Sequence, residues 1–377
     1  MTHVRIVIAS VLKPLYEPRM YEKIGISLSE IPNTDVHVIG YGIENQSHDL
    51  LIQSHGLGNF ARISLRRLLT PWRILAKVFK LRPSLLIACT HELLLPFVLY
   101  KLLFPRTTLV YDIQENYYLN ILYTNAFPWF LKFPLALWVR SKERITLLFY
   151  SLVLSAEQCY LIEMPFIQAK AICIENKALS THNVSRSPST NQVVILYSGT
   201  ISKEYGIYEA IDLVEKLHIL DARVSLMIRG YCAHALEAKK LQTYIQHKKF
   251  IDANDFTKPI PYSEIVAAIA NATCGLLSYR SNKSTQHRIP TKLYEYMAYR
   301  LPILSVENAK WSSIIEENKA GISIDFRAVD SKTILSLIKY SSFYNTPINS
   351  DTFLWKKEAH KLKSRFSIII KEKLRLI

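Results

Sequence analysis

The feature that most limits the fold is a series of short, almost unbroken apolar segments. "VRIVIAS", "DVHVIGY", "SLLIACT" and "TLVYDIQ" occupy the first half, and "VVILYSG", "VSLMIRG", "CGLLSY" and "PILSV" the second. Helical patterns lie between them. Strands this apolar are buried on both faces, and strands separated by helices pair in parallel, which makes the chain α/β. The polar stretch "STHNVSRSPSTN", 180–191, divides the two series and reads as a linker. The prediction is two doubly wound, Rossmann-like domains, 1–179 and 192–345, followed by a basic helix over 346–377. Ligands bind at the carboxyl ends of the strands in such folds, so the two domains are expected to face a central cleft. The chain's 377 residues suit two cores, since a single core stops growing at about 250–300 residues.

Charge is placed unevenly. The net charge is +16, and residues 61–91 carry seven basic side chains and no acid. Residues 353–377 carry eight basic side chains and two acids. Clustering of this kind selects a polyanionic partner, either nucleic acid or an anionic membrane face. The five cysteines are scattered without a C-x-x-C pair and sit mostly in apolar runs, which predicts buried thiols in a reducing compartment. "MTHVRIVIAS" runs straight into a strand rather than a secretory signal. The longest apolar runs fall short of the roughly 20 residues that span a bilayer. A cytoplasmic protein is the expectation. A dinucleotide fingerprint is missing, because "GLGNF" lacks a third glycine and follows no strand, and NAD is not expected.

Two helix starts in the second half are suited to phosphate. In "VVILYSGTISKEYG", Gly199 permits a tight turn after a strand, and the loop then carries Lys203 ahead of a helix. In "RIPTKLYEYMAYRLPI", Pro290 suits the first helical position, and Leu293, Tyr296 and Met297 form a core face. Lys292, Glu295 and Tyr299 fall on the other flank, and Glu295 is expected to be exposed. Free N–H groups at a helix start, beside Arg288 and Lys292, fit a diphosphate, and a carboxylate one turn on can accept both hydroxyls of a ribose. An ordinary solvated surface helix has the same local pattern; the pairing of two such starts in one domain favours a nucleotide.

"PTKLYEYMAYRLPILSV" resembles the donor-binding signature P-x-K-x-x-E-Y-M-A-x-G-x-P of retaining family-4 glycosyltransferases of GT-B fold. "YSGTISKEYG" is similar to the first strand and loop of their C-terminal domain, and "LVYDIQENYY" to their D-x-H-E strand. "SVLKPLYEPRMYEKIGISLSE" is similar to their opening loop and first helix. By that resemblance Glu295 binds the donor ribose, and Arg288, Lys292 and Lys203 lie near the diphosphate. Three positions depart from the pattern. His287 stands where relatives carry the Glu that touches the transferred sugar, Gln114 where many have His, and Arg300 where a glycine ends the helix, which predicts an altered turn before Pro302. The resemblance implies a transferase taking a UDP- or GDP-sugar, without a cofactor.

On the other domain, His91 and Glu92 follow "LLIACT", and Asp112 and Glu115 follow "TLVY". Strand ends are where α/β enzymes keep their chemistry, so His91, Asp112 and Glu115 are the candidate catalytic groups and Glu92 a candidate acceptor contact. No D-x-D pair and no His/Cys cluster with ligand spacing is present, so no metal is expected, and fixed cations with helix dipoles would stabilise the leaving diphosphate. Aromatics crowd 117–138, among them Tyr117, Tyr118 and Trp129. With Arg66, Arg67, Trp72 and Arg73, and a stripe of Trp72, Leu75, Ala76 and Phe79 after Pro71, they read as an interfacial surface, or alternatively as the core side of crossover helices. The expected partners are a nucleotide-sugar, a lipid-linked or oligosaccharide acceptor and the anionic inner face of the cytoplasmic membrane, held reversibly and screened by salt. A nucleotide-sugar epimerase shares the fold but has little use for a basic-aromatic face. Nucleic acid is disfavoured, because the basic residues lie on apolar helices and no RRM, KH or zinc motif occurs.

Overall fold

Strand pairing sorts the chain into two parallel sheets. The computed structural model describes residues 3–44, 51–60, 64–124, 127–179, 186–187, 191–280, 282–345 and 349–375. Arg62 of the basic run, and 180–185 and 188–190 of the linker stretch, fall outside these residues. The chain divides into one unit made of 1–176 with 355–377, and another of 177–354. The sequence places these boundaries at 179 and 345.

The first unit contains β1 (Val4–Pro14), β2 (Thr34–Tyr41), β3 (Ile52–Gly56), β4 (Leu85–Ala88), β5 (Thr108–Ile113), β6 (Leu152–Ser155) and β7 (Ala171–Cys173). They stand in the order β3-β2-β1-β4-β5-β6-β7, and every pair is parallel. Ile6, Val7, Ile8 and Ala9 are all fully buried, so both faces of β1 are covered. That is why the segment is apolar without alternation. Its helices are α1 (Ile26–Ser29), α2 (Leu65–Leu81), α3 (Leu94–Leu103), α4 (Tyr117–Tyr123), α5 (Trp129–Thr146) and α6 (Cys159–Glu163). Ahead of α1 lies a π-helical stretch, Arg19–Gly25, which no sequence signal predicts. Ser64 caps α2 by accepting from the Arg67 N–H at 3.2 Å. Pro71 therefore falls inside this helix. The helix survives the missing backbone donor.

The second unit contains β8 (Val193–Thr200), β9 (Val224–Tyr231), β10 (Ile251–Ala253), β11 (Cys274–Leu277), β12 (Ile303–Val306) and β13 (Gly321–Ile324). Their order is β10-β9-β8-β11-β12-β13, again all parallel. The helices are α7 (Ile207–Leu220), α8 (Ala235–Ile245), α9 (Tyr262–Asn271), α10 (Thr291–Ala298), α11 (Ala309–Glu317) and α12 (Ser331–Tyr340). The last helix, α13 (Trp355–Leu374), belongs to the first unit, where the Trp355 indole donates to Ser27 Oγ at 3.0 Å. In each sheet the strand order reverses beside the first strand, between β1 and β4 and between β8 and β11. Doubly wound sheets bind ligands at the carboxyl ends of strands at this switch point.

Candidate functional site

The switch point of the second sheet is built around Gly199, near the end of β8. Its φ of +102° lies where L side chains are strained. A Cβ there would stand 2.6 Å from Lys292 Cε, so the lysine stem lies directly across the glycine. From that position Lys292 Nζ meets Glu295 Oε2 at 2.5 Å. Gly206, at φ +73°, opens α7 against β11, where a Cβ would strike the Ser278 carbonyl at 1.7 Å. Lys203 stands exposed on the turn between these glycines.

Helix α10 carries the other half. Leu293, Tyr296 and Met297 are fully buried, as their spacing predicts, and each contributes roughly 1.5–3 kcal/mol of apolar burial. Pro290 sits one position earlier than predicted, as the N-cap. Tyr296 OH shares a 2.9 Å hydrogen bond with Ser198 Oγ, tying α10 to the end of β8. The approach to α10 is pinned from α11: Asn308 Nδ2 donates to the Gln286 carbonyl at 2.8 Å, and the Trp311 indole to the Arg288 carbonyl at 2.7 Å. His287 lies between these two anchors, 2.9 Å from the Gln286 side chain.

Two expectations for this helix need correction. Glu295 is only 6% exposed, because Lys292 folds over it, whereas the sequence predicts an exposed flank. Arg300 does not alter the turn. It takes the left-handed conformation itself, with φ +53°. The Leu301 N–H then donates to the Tyr296 carbonyl at 2.8 Å and the Arg300 N–H to the Met297 carbonyl at 3.1 Å, the double bond of a Schellman ending. Its guanidinium donates to the Tyr344 carbonyl at 2.8 Å, a contact that compensates the strained backbone.

In the first unit the polar strand-end residues separate into two groups. Asp112 stands inside β5, not after it, and is fully buried. Arg19, itself 1% exposed, spans both its oxygens at 2.7–3.1 Å and also donates to the Ile174 carbonyl at 2.8 Å. Gln114 Nε2 donates to the same carboxylate at 2.8 Å. This is a structural ion pair, and it removes Asp112 from the candidate catalytic groups. Arg19 is the first residue of the π-helical stretch 19–25.

The second group lies where the carboxyl ends of β4 and β5 meet α5. Lys142 Nζ is 2.7 Å from His91 Nδ1, and the His91 ring lies edge-on to Tyr117 with centroids 4.5 Å apart. An ammonium only donates, so Nδ1 accepts and neutral His91 carries its proton on Nε2, facing Glu92 Oε2 at 3.8 Å. Burial holds the imidazole pKa down to about 4, and burial likewise brings the Lys142 ammonium down to about 8. Arg67 pairs with Glu92 at 3.3 Å. Glu115 pairs with Lys13 at 3.5 Å and accepts from Asn120 at 2.7 Å. His91 is thus arranged to donate a hydrogen bond rather than to take a proton. Lys142 lies mid-helix and gives no sequence signal.

Of the predicted interfacial residues, Arg66, Trp72, Arg73 and Trp129 are exposed. Tyr117 and Tyr118 are half-buried, the first against His91 and the second under the Arg140 guanidinium at 5.0 Å, so they serve packing. In the predicted stripe, Leu75 points into the core and Phe79 is half-buried, while Trp72 and Ala76 face outward.

Residues 181–342, the stretch that holds Gly199, Lys292 and Glu295, match the family of glycosyl transferases group 1. That stretch is therefore a glycosyltransferase domain. No curated protein matches it by sequence. Solved structures share its fold at low identity and nearly full length on both sides. Sucrose-phosphate synthase from Thermosynechococcus elongatus has 11% identity and a TM-score of 0.69, covering 98% of this chain and 99% of that one. HepE from Anabaena, solved with UDP and glucose, has 14% identity and a TM-score of 0.58, covering 99% and 98%. The lipopolysaccharide outer core galactosyltransferase WaaB has 14% identity and a TM-score of 0.55, covering 95% and 98%. The chain therefore has the GT-B fold, with a Rossmann-like sheet in each unit.

Proposed function

We propose that this glycosyltransferase moves a hexose-type unit, with retention of configuration, from a UDP- or GDP-sugar to a membrane-associated glycolipid or polysaccharide-precursor acceptor. The observation that carries the donor assignment is the contact of Gly199, Lys292 and Glu295 at the switch point of the second sheet. In this reading Glu295 accepts the ribose hydroxyls, and Lys292 turns from Glu295 to the diphosphate, with Arg288, Lys203 and the start of α10 adding positive potential. His287 stands nearest the transferred sugar in the resemblance. Fixed cations take the role a metal plays elsewhere, so activity should persist in excess EDTA.

For the acceptor, His91 donates from Nε2 while Glu92 and Glu115 accept, a set suited to sugar hydroxyls. The basic run on α2, with exposed Arg66, Arg73, Trp72 and Trp129, supports work at the anionic inner face of the cytoplasmic membrane. Among the described residues no helix is long and apolar enough to cross a membrane, so attachment would be at the surface.

The test is calorimetric titration with UDP- and GDP-sugars. Glu295→Ala should lose a charge-assisted bond worth about 1.5–3 kcal/mol, a tenfold or greater drop in donor affinity. Unchanged affinity would remove Glu295 from the donor site.

A further inference from the structure

The outer side of one helical layer differs from the other helical surfaces of this molecule. In the first unit, α2, α3 and α5 pack side by side, and α2 and α3 cover the sheet through Ile74, Leu75, Val78, Phe97 and Tyr100. Each also presents a second apolar stripe to the outside. On α2 it is Leu65, Leu68, Leu69 and Trp72, spaced i, i+3, i+4, i+7. On α3 it is Leu95, Leu99 and Leu102, with Leu103 beside them. The start of α5 is exposed almost all round, through Trp129 (84% exposed), Phe130, Phe133, Leu137 and Trp138, and Ile145 extends the stripe toward its end. Exposed large apolar side chains on the second unit's helices are fewer and scattered, as at Ile219, Leu236 and Tyr340.

Charge on this layer has one sign. α2 and α3 carry no acid, and the single acid of α5, Glu143, is buried at 1% exposure. Arg66, Arg73 and Arg144 are exposed among the apolar stripes, and Lys132 is half-exposed. Monomers in water seldom leave an apolar face this large uncovered. A second copy of the chain, seated symmetrically, would set these cations against themselves. A bilayer with anionic headgroups satisfies both halves of the pattern, acyl chains for the leucines and aromatics and phosphates for the arginines.

We propose that α2, α3 and α5 form an insertion face that sinks the first unit into an anionic bilayer to the headgroup–acyl boundary, held chiefly by apolar burial. This rests on the reading of the acceptor as membrane-held and adds how the enzyme is attached. Charge attraction alone is released by salt; apolar burial is not.

The experiment uses the full chain with vesicles of phosphatidylcholine mixed with phosphatidylglycerol. Trp72, Trp129 and Trp138 lie on the face, whereas Trp311 and Trp355 are buried, so intrinsic fluorescence reports on the face. Vesicles should shift the emission to the blue, lipids brominated on the acyl chain should quench it, and the protein should stay bound at roughly 1 M salt, where the Debye length is about 3 Å. Combining Leu99→Ser, Leu102→Ser and Phe133→Ser should weaken vesicle binding at least tenfold and leave UDP affinity and the urea-unfolding profile unchanged, the latter showing that the substituted first unit is folded. Binding at low salt that vanishes at high salt, without quenching, overturns insertion and leaves the membrane-held acceptor standing. Absence of binding at any salt, with UDP binding intact, overturns both. Concentration-dependent dimers of the wild type, lost in the triple variant, would assign the face to a second copy.

Discussion

Replacing Gly199 by alanine should damage the donor site through a side chain 93 residues away. Two separable effects are at work. Alanine at φ +102° is strained by about 1–3 kcal/mol. Its Cβ would also meet Lys292 Cε at 2.6 Å, where carbon atoms settle at about 3.5–4.0 Å, so the lysine stem must retreat by about 1 Å. The retreat breaks the 2.5 Å contact with Glu295, whose side chain and that of Lys292 are only 8% and 14% exposed, leaving little solvent to replace it. A hydrogen bond to a charged group of this kind is worth about 1.5–3 kcal/mol. Gly199→Ala should therefore cost about 2.5–6 kcal/mol. In a Lys292→Ala background the clash and the ion pair are both gone, and the same substitution should cost only the backbone strain. Native-state hydrogen exchange of β8 and α10 amides, in the wild type, both single variants and the double, measures the four stabilities. The cycle should show a coupling of about 1.5–3 kcal/mol. Effects that add within about 0.5 kcal/mol would refute the idea that the glycine exists to seat Lys292.

Three further outcomes follow from the geometry. Asp112→Asn should destabilise the fold by about 3–5 kcal/mol in urea unfolding, because Arg19 is left buried without a counter-charge; a neutral result would return Asp112 to the catalytic candidates. His91 is neutral in the fold and charges only near pH 4, against about 6.5 unfolded, so its contribution to stability is whole above pH 6.5 and falls by about 3 kcal/mol as pH drops to about 4. His91→Gln should flatten that limb of the stability profile, and an unchanged profile would show that another group sets it. At position 300, Arg300→Gly should be milder than Arg300→Ala by about 1 kcal/mol in thermal unfolding, since both lose the Tyr344 contact but only alanine keeps the strain at φ +53°.

The parallel strands were legible because burial on both faces writes itself as uninterrupted apolar sequence, and the eight segments chosen from it correspond to β1, β2, β4, β5, β8, β9, β11 and β12. The strands without that signature, such as β3 with "IQSHG" and the three-residue β7 and β10, lie toward the sheet edges and carry no such signal. The core side of α10 was legible for the same reason, as a period of 3.6. What stayed hidden depends on partners distant in sequence. Asp112 is decided by Arg19, and Arg300 by a carbonyl 44 residues on. Lys142 reaches His91 across 51 residues. The burial of Glu295 is hidden at short range, since an i, i+3 pair looks the same in sequence whether it lies in water or folds over itself.

The first unit is built from two separate stretches of the chain, which bears on how the protein is made. Its sheet is encoded by 1–176, yet α13, which buries Trp355, Leu362 and Phe366, belongs to the same unit and is synthesised after the whole of the second. At about 5–20 residues per second a ribosome needs roughly 10–35 s to cover the intervening stretch. Through that interval the nascent first unit stands with the seat of its last helix open, one side of Ser27 and its neighbours uncovered. Completion of the earlier-made half thus waits on the later-made one, and a ribosome stalled inside the second unit would hold the first in an unfinished state that invites chaperones.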